Sequence, residues 1–410
     1  MIKTIIKKIT PRFLLNSYYQ FLPVLGALIY RFPSKKLNII GVTGTNGKSS
    51  TVELITSIFQ EADIKVASIT SIRFQINDNI WKNKLKMTMP GRFKIQKFLR
   101  QAIKQGCKYA ILEVTSEGVK QHRHKLIDFN TAVFTNLDKE HIEAHGSFEN
   151  YKNEKLKLFK LANILIVNLD NEHAESFLNF KKDKITFSIN QKSDYKGEDI
   201  ELLPNYSSFK IKDKVFKINL LGEFNIYNCL AAIAVCSNEG IDISIIQKAL
   251  ESVKVIAGRM ELVIDTPFKV YVDYAHTPDA LENVYKTIKQ TEQGRMICVL
   301  GSCGGGRDKW KREEFGKLSS QYCDEIILTN EDPYDENPNQ IVEDISKHVT
   351  KKHKKIIDRE DAIKESINIA KDNDVVIITG KGSEPWMVVK DDKKIPWDDR
   401  KIVREVKGGL

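Results

Sequence analysis

The sequence predicts an α/β protein with mostly parallel sheets covered by helices. Short apolar runs alternate with helical patterns along the chain, and a glycine-rich turn joins the first of these runs to the first helical pattern. This alternation favours parallel strands, because each parallel connection needs a crossover that is usually helical. The length of 410 residues predicts two or three domains, at a usual size of about 150 residues each.

The glycine-rich turn reads GVTGTNGKSS over residues 41–50 and lies between the apolar run 37–40 and a helical pattern. Such a turn lets backbone N–H groups close on phosphate at a helix N-terminus. Lys48 can reach the terminal phosphates, and Ser49 can bind Mg²⁺. The turn therefore predicts a nucleoside triphosphate site with contacts from Gly44, Thr45, Asn46, Gly47, Lys48, Ser49 and Ser50.

Two alternating blocks organise the rest of the chain. In the first block a helix is predicted at 94–105, and strands are predicted at 66–70, 109–114, 131–136 and 164–169. The polar stretch 181–217 predicts short antiparallel strands or loops, and 222–240 predicts a helix. The second block begins near Gly258, with strands predicted at 269–273, 296–301, 325–329 and 375–379. The expected domains are an N-terminal segment at 1–36, a central P-loop-type domain at 37–256 and a C-terminal Rossmann-like α/β domain at 257–410.

The chain has a formal net charge of +10, and its basic residues are dispersed among acids. That charge fits an anionic substrate, a membrane surface or a nucleic acid. Because no nucleic-acid-binding motif is visible, we expect small-molecule substrates and no nucleic acid. The six cysteines form no Cys-x-x-Cys pair, which predicts reduced, mostly buried thiols in a cytoplasmic protein.

The first 36 residues carry seven basic residues and no acid around the apolar run 21–32. That run is too short to span a bilayer, which takes about 20 residues. Two interpretations stay open: a helix packed on the next domain, or a basic amphipathic segment lying on the inner face of the membrane.

Three further residues could carry chemistry. Glu113 ends an apolar strand, and open α/β sheets bind ligands at the carboxyl ends of their strands. His141 lies in the polar run that follows the strand at 131–136, and Lys155 lies in a helical pattern. Taken singly, each has an ordinary interpretation as a strand-end acid, a loop histidine or a lysine on a helix surface.

Together with the glycine-rich turn, these residues resemble the Mur ligases, the ATP-dependent amide-forming enzymes of peptidoglycan precursor synthesis. The resemblance runs from about residue 37 to the C-terminus. It rests on motifs in the family's order at 41–50, 113–116, 121–123, 135–137, 141–146, 155–159, 222–228, 258–261, 272–279, 307–312, 380–384 and 398–400. The resemblance implies an acid–amino-acid ligase that forms ADP.

The resemblance also implies the reaction and the roles of its residues. ATP phosphorylates a substrate carboxylate to an acyl phosphate, and an incoming amine then displaces phosphate. Lys48, with a Mg²⁺ held through Ser49 and Glu113, would neutralise the anions that this transfer brings together. A second Mg²⁺ would be held by Glu113, His141 and Lys155. A protonated lysine cannot bind a metal, so the resemblance implies that CO₂ carbamylates Lys155.

Further binding residues follow from the same resemblance. Additional ATP contacts are expected from Asn225, Asn228, Arg259, Asp273 and His276. The muramoyl peptide and the amino acid are expected to contact Thr88, Ser116, Gln121, Arg123, Asp332, Tyr334, Gly380 and Glu384.

The sequence departs from the family in three places. Only 40 residues precede Gly41, so we expect the family's UDP-binding N-terminal domain to be absent. Thr88-Met-Pro stands where the family has Thr-Thr-Pro, and Glu117 replaces a histidine. Members that add diaminopimelate use Asp-Asn-Pro-Arg, whereas this chain ends the matching run in Tyr334. Tyrosine cannot make the charged bidentate pair that arginine makes with a carboxylate.

The expected function is the addition of an amino acid, a diamino acid by preference, to UDP-N-acetylmuramoyl-L-alanyl-D-glutamate. One alternative acceptor is a lipid-linked muramoyl peptide or a carboxylate of the polyglutamate or folate type. A hypothesis from another class is a silent scaffold that only binds ATP, and the presence of Lys48, Glu113, His141 and Lys155 argues against it. We expect a cytoplasmic monomer with peripheral membrane contact through residues 1–36 as the open alternative.

Overall fold

The computed structural model describes residues 12–85 and 87–408. The chain divides into two compact units. The first comprises the residues up to Leu137, Glu149–Gly197 and Tyr227–Leu250, and the second comprises Asp138–Phe148, Glu198–Ile226 and the residues from Glu251 onward. The last change of unit falls at 250/251, and the domain boundary at 256/257 stays a prediction.

The first unit is built on one sheet of nine strands in the order β4-β3-β2-β5-β1-β6-β7-β8-β9. Its strands are β1 (Asn38–Thr43), β2 (Val66–Ile69), β3 (Arg73–Ile76), β4 (Asn79–Lys82), β5 (Tyr109–Glu113), β6 (Phe129–Phe134), β7 (Ile164–Asn168), β8 (Asp183–Ser188) and β9 (Tyr195–Lys196). All neighbours pair in parallel except along the β2–β3–β4 edge, which is antiparallel.

The helices of this unit alternate with the strands as the sequence predicts. They are α1 (Arg12–Ile29), α2 (Lys48–Glu61), α3 (Arg92–Lys104), α4 (Ser116–Lys120), α6 (Phe148–Leu161) and α7 (Ala174–Leu178). The first residue of α6 still belongs to the second unit, and so does the whole of the four-residue helix α5 (Ile142–His145). A 3₁₀ turn, Pro33–Lys36, precedes β1. The central strands are apolar along nearly their whole length because both faces are buried, as is usual for parallel sheets.

Helix α1 lies on helix α3 within the first unit. Gly26 lies at this contact, where a Cβ would be in ordinary van der Waals contact, 3.5 Å from the carbonyl oxygen of Arg92. The guanidinium carbon of Arg92 stacks 4.2 Å from the centre of the Tyr19 ring. Packing is therefore confirmed for 18–30, while residues 1–11 of the predicted N-terminal segment lie outside the described residues. None of the helices in the described part of the chain is long and apolar enough to cross a membrane.

The second unit contains a six-stranded sheet in the order β13-β14-β18-β15-β16-β17 and two smaller antiparallel sheets. The large sheet is formed by β13 (Glu261–Ile264), β14 (Lys269–Val272), β15 (Met296–Leu300), β16 (Glu325–Leu328), β17 (His353–Lys355) and β18 (Val375–Ile378). The small sheets are formed by β10 (Glu198–Leu202), β11 (Ser207–Ile211) and β12 (Lys214–Ile218), and by β19 (Trp386–Val389) and β20 (Lys393–Pro396).

The helices of the second unit pack two apolar layers onto its large sheet. They are α10 (Pro278–Thr291), α11 (Lys311–Tyr322), α12 (Pro338–Ser346), α13 (Arg359–Asn368) and α14 (Asp399–Gly408). Helix α9 (Ile243–Ser252) lies in the first unit up to Leu250 and ends in the second. A 3₁₀ turn, Lys390–Asp392, joins β19 to β20. Helix α8 (Glu223–Asn238) passes from the second unit into the first. The predicted α/β class with mostly parallel sheets is confirmed.

The expectation that all six cysteines are reduced thiols is wrong for one pair. Cys298 in β15 and Cys323, which ends α11, are joined by a disulfide with their Cα atoms 6.0 Å apart. Both side chains lie in the apolar layer beneath α10, α11 and α12. The pair is 25 residues apart in the chain, so no short cysteine spacing could reveal it.

Candidate active site

The predicted phosphate turn lies at the carboxyl edge of the nine-stranded sheet. Val42 of β1 pairs with Glu113 of β5, and Thr43 pairs with Phe134 of β6. The turn after β1, the carboxylate of Glu113 and the residues after β6 therefore meet at one edge. This is the edge at which open α/β sheets bind ligands.

Two glycines are required by the shape of this turn. A Cβ on Gly44 would lie 1.9 Å from the hydroxyl oxygen of Thr135. Gly47 has a φ of +80°, and a Cβ there would lie 2.3 Å from the side-chain oxygen of Asn228. Side chains are excluded at both positions, so the backbone can approach a phosphate closely.

Two residues just after β6 hold the turn through hydrogen bonds. The N–H groups of Thr45 and Asn46 donate to the side-chain oxygen of Asn136 at 3.1 and 2.7 Å. The hydroxyl of Thr135 donates to the carbonyl of Asn46 at 2.7 Å. Thr135 and Asn136 were not predicted as site residues, although their place at a strand end next to β1 is the signal that could have found them.

Lys48 and Ser49 begin helix α2 directly after the turn. The ammonium of Lys48 donates to the carbonyls of Gly44 and Thr45 at 3.1 and 2.7 Å. The hydroxyl of Ser49 donates to a carboxylate oxygen of Glu113 at 2.7 Å, and the N–H of Ser71 donates to the same oxygen at 2.9 Å. The next residue, Ser50, is also buried.

The oxygen atoms at this point fit a magnesium ion. A serine hydroxyl and a carboxylate, both hard donors, face each other at the start of a helix that follows a phosphate turn. Among residues 12–85 and 87–408, no three His, Cys, Asp or Glu side chains are grouped closely enough to hold a metal. The predicted metal ligands include only two residues of those four types, Glu113 and His141. The other two predicted ligands are Ser49 and Lys155.

Lys155 lies on α6 and reaches the same turn. Its side chain is 2% exposed, and its ammonium donates to the carbonyl of Gly44 at 2.6 Å. The ammonium also lies 4.5 Å from the centre of the Tyr151 ring, whose hydroxyl hydrogen-bonds Thr45 at 3.0 Å. The structure therefore brings together Lys48, Ser49, Glu113 and Lys155 in the first unit, whereas His141 belongs to the second.

His141 stands in a left-handed backbone conformation with a φ of 55°. The two N–H groups that follow it, on Ile142 and Glu143, donate to the carboxylate of Asp308 at 3.3 and 2.9 Å. The residue before it, Glu140, accepts from the ammonium of Lys311 at 2.5 Å. Burial raises the pKa of Glu140, and the nearby Lys311 opposes that shift.

The predicted muramoyl-peptide residues are linked to one another in the first unit. Ser116 begins α4 and is buried. Arg123 donates to the carbonyl of Met89, next to Thr88, at 2.5 Å and to the side chain of Gln121 at 2.8 Å. Burial lowers the pKa of Arg123 to about 10, so its guanidinium keeps its charge at neutral pH.

The predicted nucleotide residues of the second unit gather at the end of β14. Asp273 accepts from the N–H groups of Met260 and Ala275 at 2.7 and 2.6 Å. The guanidinium carbon of Arg259 lies 4.4 Å from the Tyr274 ring centre, and the ring of His276 hydrogen-bonds the Tyr274 carbonyl at 2.8 Å. Burial raises the pKa of Asp273, against the charge of Arg259 and the two N–H groups.

The two predicted asparagines both lie on α8 but have different partners. Asn228 accepts from the hydroxyl of Thr51 in α2 at 3.3 Å and lies against Gly47. Asn225 donates to the carbonyl of Leu221 at 2.8 Å within the second unit. Asn228 therefore lies beside the phosphate turn within the first unit, whereas Asn225 belongs to the second unit.

Two of the predicted amino-acid residues pair with a buried lysine that the sequence did not identify as a site residue. The ammonium of Lys381 donates to Asp332 at 2.8 Å and to Glu384 at 2.5 Å. Burial disfavours its charge, but the carboxylates of Glu384 and Asp332 outweigh burial and raise its pKa. A Cβ on Gly380 would lie 2.6 Å from Glu331, so this glycine allows close packing. The spacing of Lys381 and Glu384 within the GKGSE motif was the available signal.

Tyr334 has an arginine beside it. Arg307 donates to the Tyr334 hydroxyl at 3.4 Å. Burial raises the pKa of Tyr334 to about 12, so its hydroxyl stays neutral at ordinary pH. Arg307 begins the motif at 307–312, but the sequence alone does not identify it as a binding residue.

This fold, with a glycine-rich turn, a lysine, a hydroxyl and a carboxylate at the carboxyl edge of a parallel sheet, is typical of a class of protein: enzymes that bind a nucleoside triphosphate. The sequence profile of the Mur ligase middle domain matches residues 42–236. The profile of the Mur ligase glutamate ligase domain matches residues 258–382. The chain belongs to the Mur ligase family and is an ATP-dependent amide-forming ligase of peptidoglycan precursor synthesis, as the sequence predicts.

The similarity to named relatives covers nearly the whole chain. The UDP-N-acetylmuramoyl-L-alanyl-D-glutamate–2,6-diaminopimelate ligase of Clostridium tetani is 38% identical over 395 residues, covering 94% of this chain and 80% of the relative. A solved structure of a ligase with that name has a TM-score of 0.63 at 30% identity, covering 91% of this chain and 78% of that one.

A third similarity shows the fold alone. The folylpolyglutamate synthase of Mycobacterium tuberculosis, solved with ADP and AMPPCP, has a TM-score of 0.72 at 15% identity. The match covers 88% of this chain and 92% of that one.

Proposed function

We propose that this ligase acts as a UDP-N-acetylmuramoyl-L-alanyl-D-glutamate–2,6-diaminopimelate ligase does, by adding a third residue to UDP-N-acetylmuramoyl-L-alanyl-D-glutamate. The observation that carries the proposal is the 38% identity to a ligase of that name across 94% of the chain. The built phosphate turn and the buried carboxylate behind it support catalysis as opposed to a scaffold role. ATP and a UDP-linked acceptor would place the reaction in the cytoplasm, and the monomeric state stays a prediction.

The first half of the reaction would use the residues of the phosphate turn. The γ-phosphoryl group of ATP passes to the substrate carboxylate, which gives ADP and an acyl phosphate. Lys48 and the N–H groups of the turn would bind the β- and γ-phosphates and offset their charge. Bound Mg²⁺ would help to neutralise the charge that develops during phosphoryl transfer. Ser49 and Glu113 would hold one ion, and Glu113, His141 and a carbamylated Lys155 would hold a second.

The second half of the reaction would join the amine to the activated carbonyl. The amino group attacks the acyl phosphate, the C–O bond to phosphate breaks, and an amide and inorganic phosphate result. Asn225, Asn228, Arg259, Asp273 and His276 are proposed as ATP contacts. Thr88, Ser116, Gln121 and Arg123 are proposed to hold the muramoyl peptide.

The amino acid is proposed to bind among Asp332, Tyr334, Gly380 and Glu384. Tyr334 replaces the arginine that the diaminopimelate motif carries, but Arg307 places a guanidinium beside it. That guanidinium supplies a fixed positive charge for a carboxylate, and a planar guanidinium suits this better than a hydroxyl. Carboxylates at Asp332 and Glu384 would favour an ammonium at the other end. A diamino acid satisfies both, and the named relatives favour diaminopimelate.

Glu384→Gln is expected to raise the KM for the amino acid roughly tenfold or more, because hydrogen bonds to charged groups contribute about 1.5–3 kcal/mol. The KM for ATP should change little. Steady-state kinetics measured by phosphate release would check both values. Glu343→Gln, an exposed glutamate paired with Lys355 in the same unit, is the matched control. An amino-acid KM equal to that of the control would remove Glu384 from the pocket.

One alternative acceptor is a lipid-linked muramoyl peptide, and a surface on α1 favours it. The side chains of Tyr18, Phe21, Val24 and Leu28 are exposed along one side of this helix. Arg31, Lys35 and Lys36 follow it, and the first 36 residues contain no acid. An apolar helix face with basic residues at its end complements a membrane surface that contains anionic lipid. We therefore propose peripheral membrane contact through α1.

Phe21→Asp/Leu28→Asp is expected to lower the affinity of the full chain for liposomes with anionic lipid at least about tenfold, because burial of each apolar side chain contributes about 1.5–3 kcal/mol. Sedimentation with such liposomes and with neutral ones would measure it. Val215→Asp is the control, since Val215 and Leu28 are 57% and 56% exposed. Equal sedimentation of both variants would argue against the membrane surface.

The proposed function is tested with purified protein, ATP and a panel of amino acids. UDP-muramoyl-dipeptide, a lipid-linked muramoyl dipeptide and a folate polyglutamate would be compared as acceptors, with phosphate release and product mass as readouts. We expect a tripeptide product from the UDP-linked acceptor with a diamino acid. A product from only one of the other acceptors would replace the proposal with the matching alternative.

A further inference from the structure

The loop that carries His141 is held on both sides by one short segment of the second unit. Asp308 accepts the N–H groups of Ile142 and Glu143, the two residues after His141, at 3.3 and 2.9 Å. Lys311 donates to Glu140, the residue before His141, at 2.5 Å. Asp308, Lys311 and Glu140 are all buried. Charged groups are seldom buried unless they are paired. We therefore regard the contacts of Asp308, Lys311 and Glu140 as a specific structural feature of the second unit.

Two further contacts join the same loop to the same segment. The N–H of Lys309 donates to the carboxylate of Glu143 at 3.1 Å. The ammonium of Lys139 lies 4.6 Å from the centre of the Trp310 ring. The residues on either side of His141 are thus attached at several points between Asp308 and Lys311.

His141 itself shows why such attachment is needed. Its φ of 55° lies in the left-handed region, which costs free energy for a residue other than glycine. Strained backbone of this kind persists only where the surrounding structure fixes it, and it is concentrated at functional sites. Asp308 fixes the peptide groups that follow His141, and the Glu140–Lys311 pair fixes the residue before it.

We propose that Asp308 and Lys311 are positioning residues that hold the His141 loop in the conformation needed for binding a divalent cation. The proposal rests on the metal role proposed for His141 above. Residues that orient a metal ligand are typically worth 10–100-fold in metal affinity. Arg307, which contacts Tyr334, immediately precedes Asp308, so one segment links the proposed amino-acid pocket to the His141 loop.

The test measures Mn²⁺ binding by electron paramagnetic resonance with the full chain and a non-hydrolysable ATP analogue. Asp308→Ala is expected to weaken Mn²⁺ binding about tenfold, and we expect the same of His141→Ala. It should also speed amide hydrogen exchange in the peptide spanning 138–148 without metal. Lys317→Met is the control, because Lys317 lies on the same helix as Lys311 but pairs with Glu313 and Glu314. Wild-type Mn²⁺ affinity and exchange in Asp308→Ala would overturn the proposal.

A double variant separates positioning from stability at Lys311. Lys311→Met leaves the buried carboxylate of Glu140 unpaired and should destabilise the fold, whereas Glu140→Gln/Lys311→Met removes both charges. We expect the double variant to regain the wild-type Tm while its Mn²⁺ affinity stays about tenfold weaker. If Mn²⁺ affinity recovers together with Tm, the pair serves stability alone and Lys311 is not a positioning residue.

The same experiment distinguishes a failure of this proposal from a failure of the proposed function. Unchanged Mn²⁺ affinity in His141→Ala would reject the metal role of His141 and the positioning role with it. Loss of Mn²⁺ affinity in Asp308→Ala would support positioning even if no tripeptide product forms from the UDP-linked acceptor. Neither result depends on which amino acid is added.

Discussion

Lys155→Ala is expected to lower the kcat of amide formation about 10²–10³-fold, the usual effect of removing one preorganised group that stabilises transition-state charge. The ammonium lies 2.6 Å from the carbonyl of Gly44, so any group placed on this nitrogen would stand at the phosphate turn. A carbamylated Lys155 would present anionic oxygens to Mg²⁺. An unmodified lysine has no such oxygens, and its protonated ammonium cannot bind a metal. Steady-state phosphate release and product mass would measure the loss.

Lys155→Arg is the informative control, because arginine keeps a positive charge at the turn but is not converted to a carbamate. If the carbamate matters, Lys155→Arg should be as impaired as Lys155→Ala, and acetate or formate should partly restore Lys155→Ala. A ¹³C carbamate signal from the wild-type enzyme in ¹³CO₂, absent in both variants, would support the same conclusion. Substantial activity in Lys155→Arg would show that Lys155 acts as a simple cation.

Much of the first unit was predictable because its signals are local. The turn at 41–50 carries its glycines, lysine and hydroxyl in one run, and apolar runs near it predict β5, β6 and β7 within one or two residues of their ends. The short antiparallel strands β3 and β4 were missed. Each of these strands, Arg73–Ile76 and Asn79–Lys82, has only four residues, two of them apolar, which is too short a pattern to stand out.

The residues that support the site were harder to find, because their partners lie far away in sequence. Asn136 holds the turn from 90 residues away, and Asp308 contacts the His141 loop from 165 residues away. Each of these side chains has an ordinary local interpretation as a loop residue. Only the order of the strands in the sheet, or the packing of one segment on another, turns them into parts of a site.

Asp399→Ala is expected to lower the free energy of unfolding of the second unit by about 3–5 kcal/mol, the usual cost of leaving a buried charge unpaired. Two nitrogens of Arg359 donate to the two carboxylate oxygens of Asp399 at 3.0 and 2.8 Å. Both side chains are fully buried, and Trp397 donates to the same carboxylate at 2.7 Å. Urea unfolding followed by tryptophan fluorescence would measure the change. Glu360→Ala is the control, since its half-exposed pair with Lys364 lies on the same helix as Arg359 and surface pairs contribute about 0–1 kcal/mol.

The position of this pair predicts a second effect, on the amino-acid pocket. Arg359 also donates to the carbonyl of Thr379 at 2.8 Å and to that of Asn330 at 3.3 Å. Those residues immediately precede Gly380 and Glu331, so the guanidinium ties together the two strand ends that carry the proposed pocket. Arg359→Met/Asp399→Leu removes both charges and should regain most of the lost stability. It cannot replace the two hydrogen bonds to the carbonyls, so its KM for the amino acid should stay raised while its KM for ATP does not. If both KM values return to wild type with stability, the pair supports folding alone and the strand ends are held by other contacts.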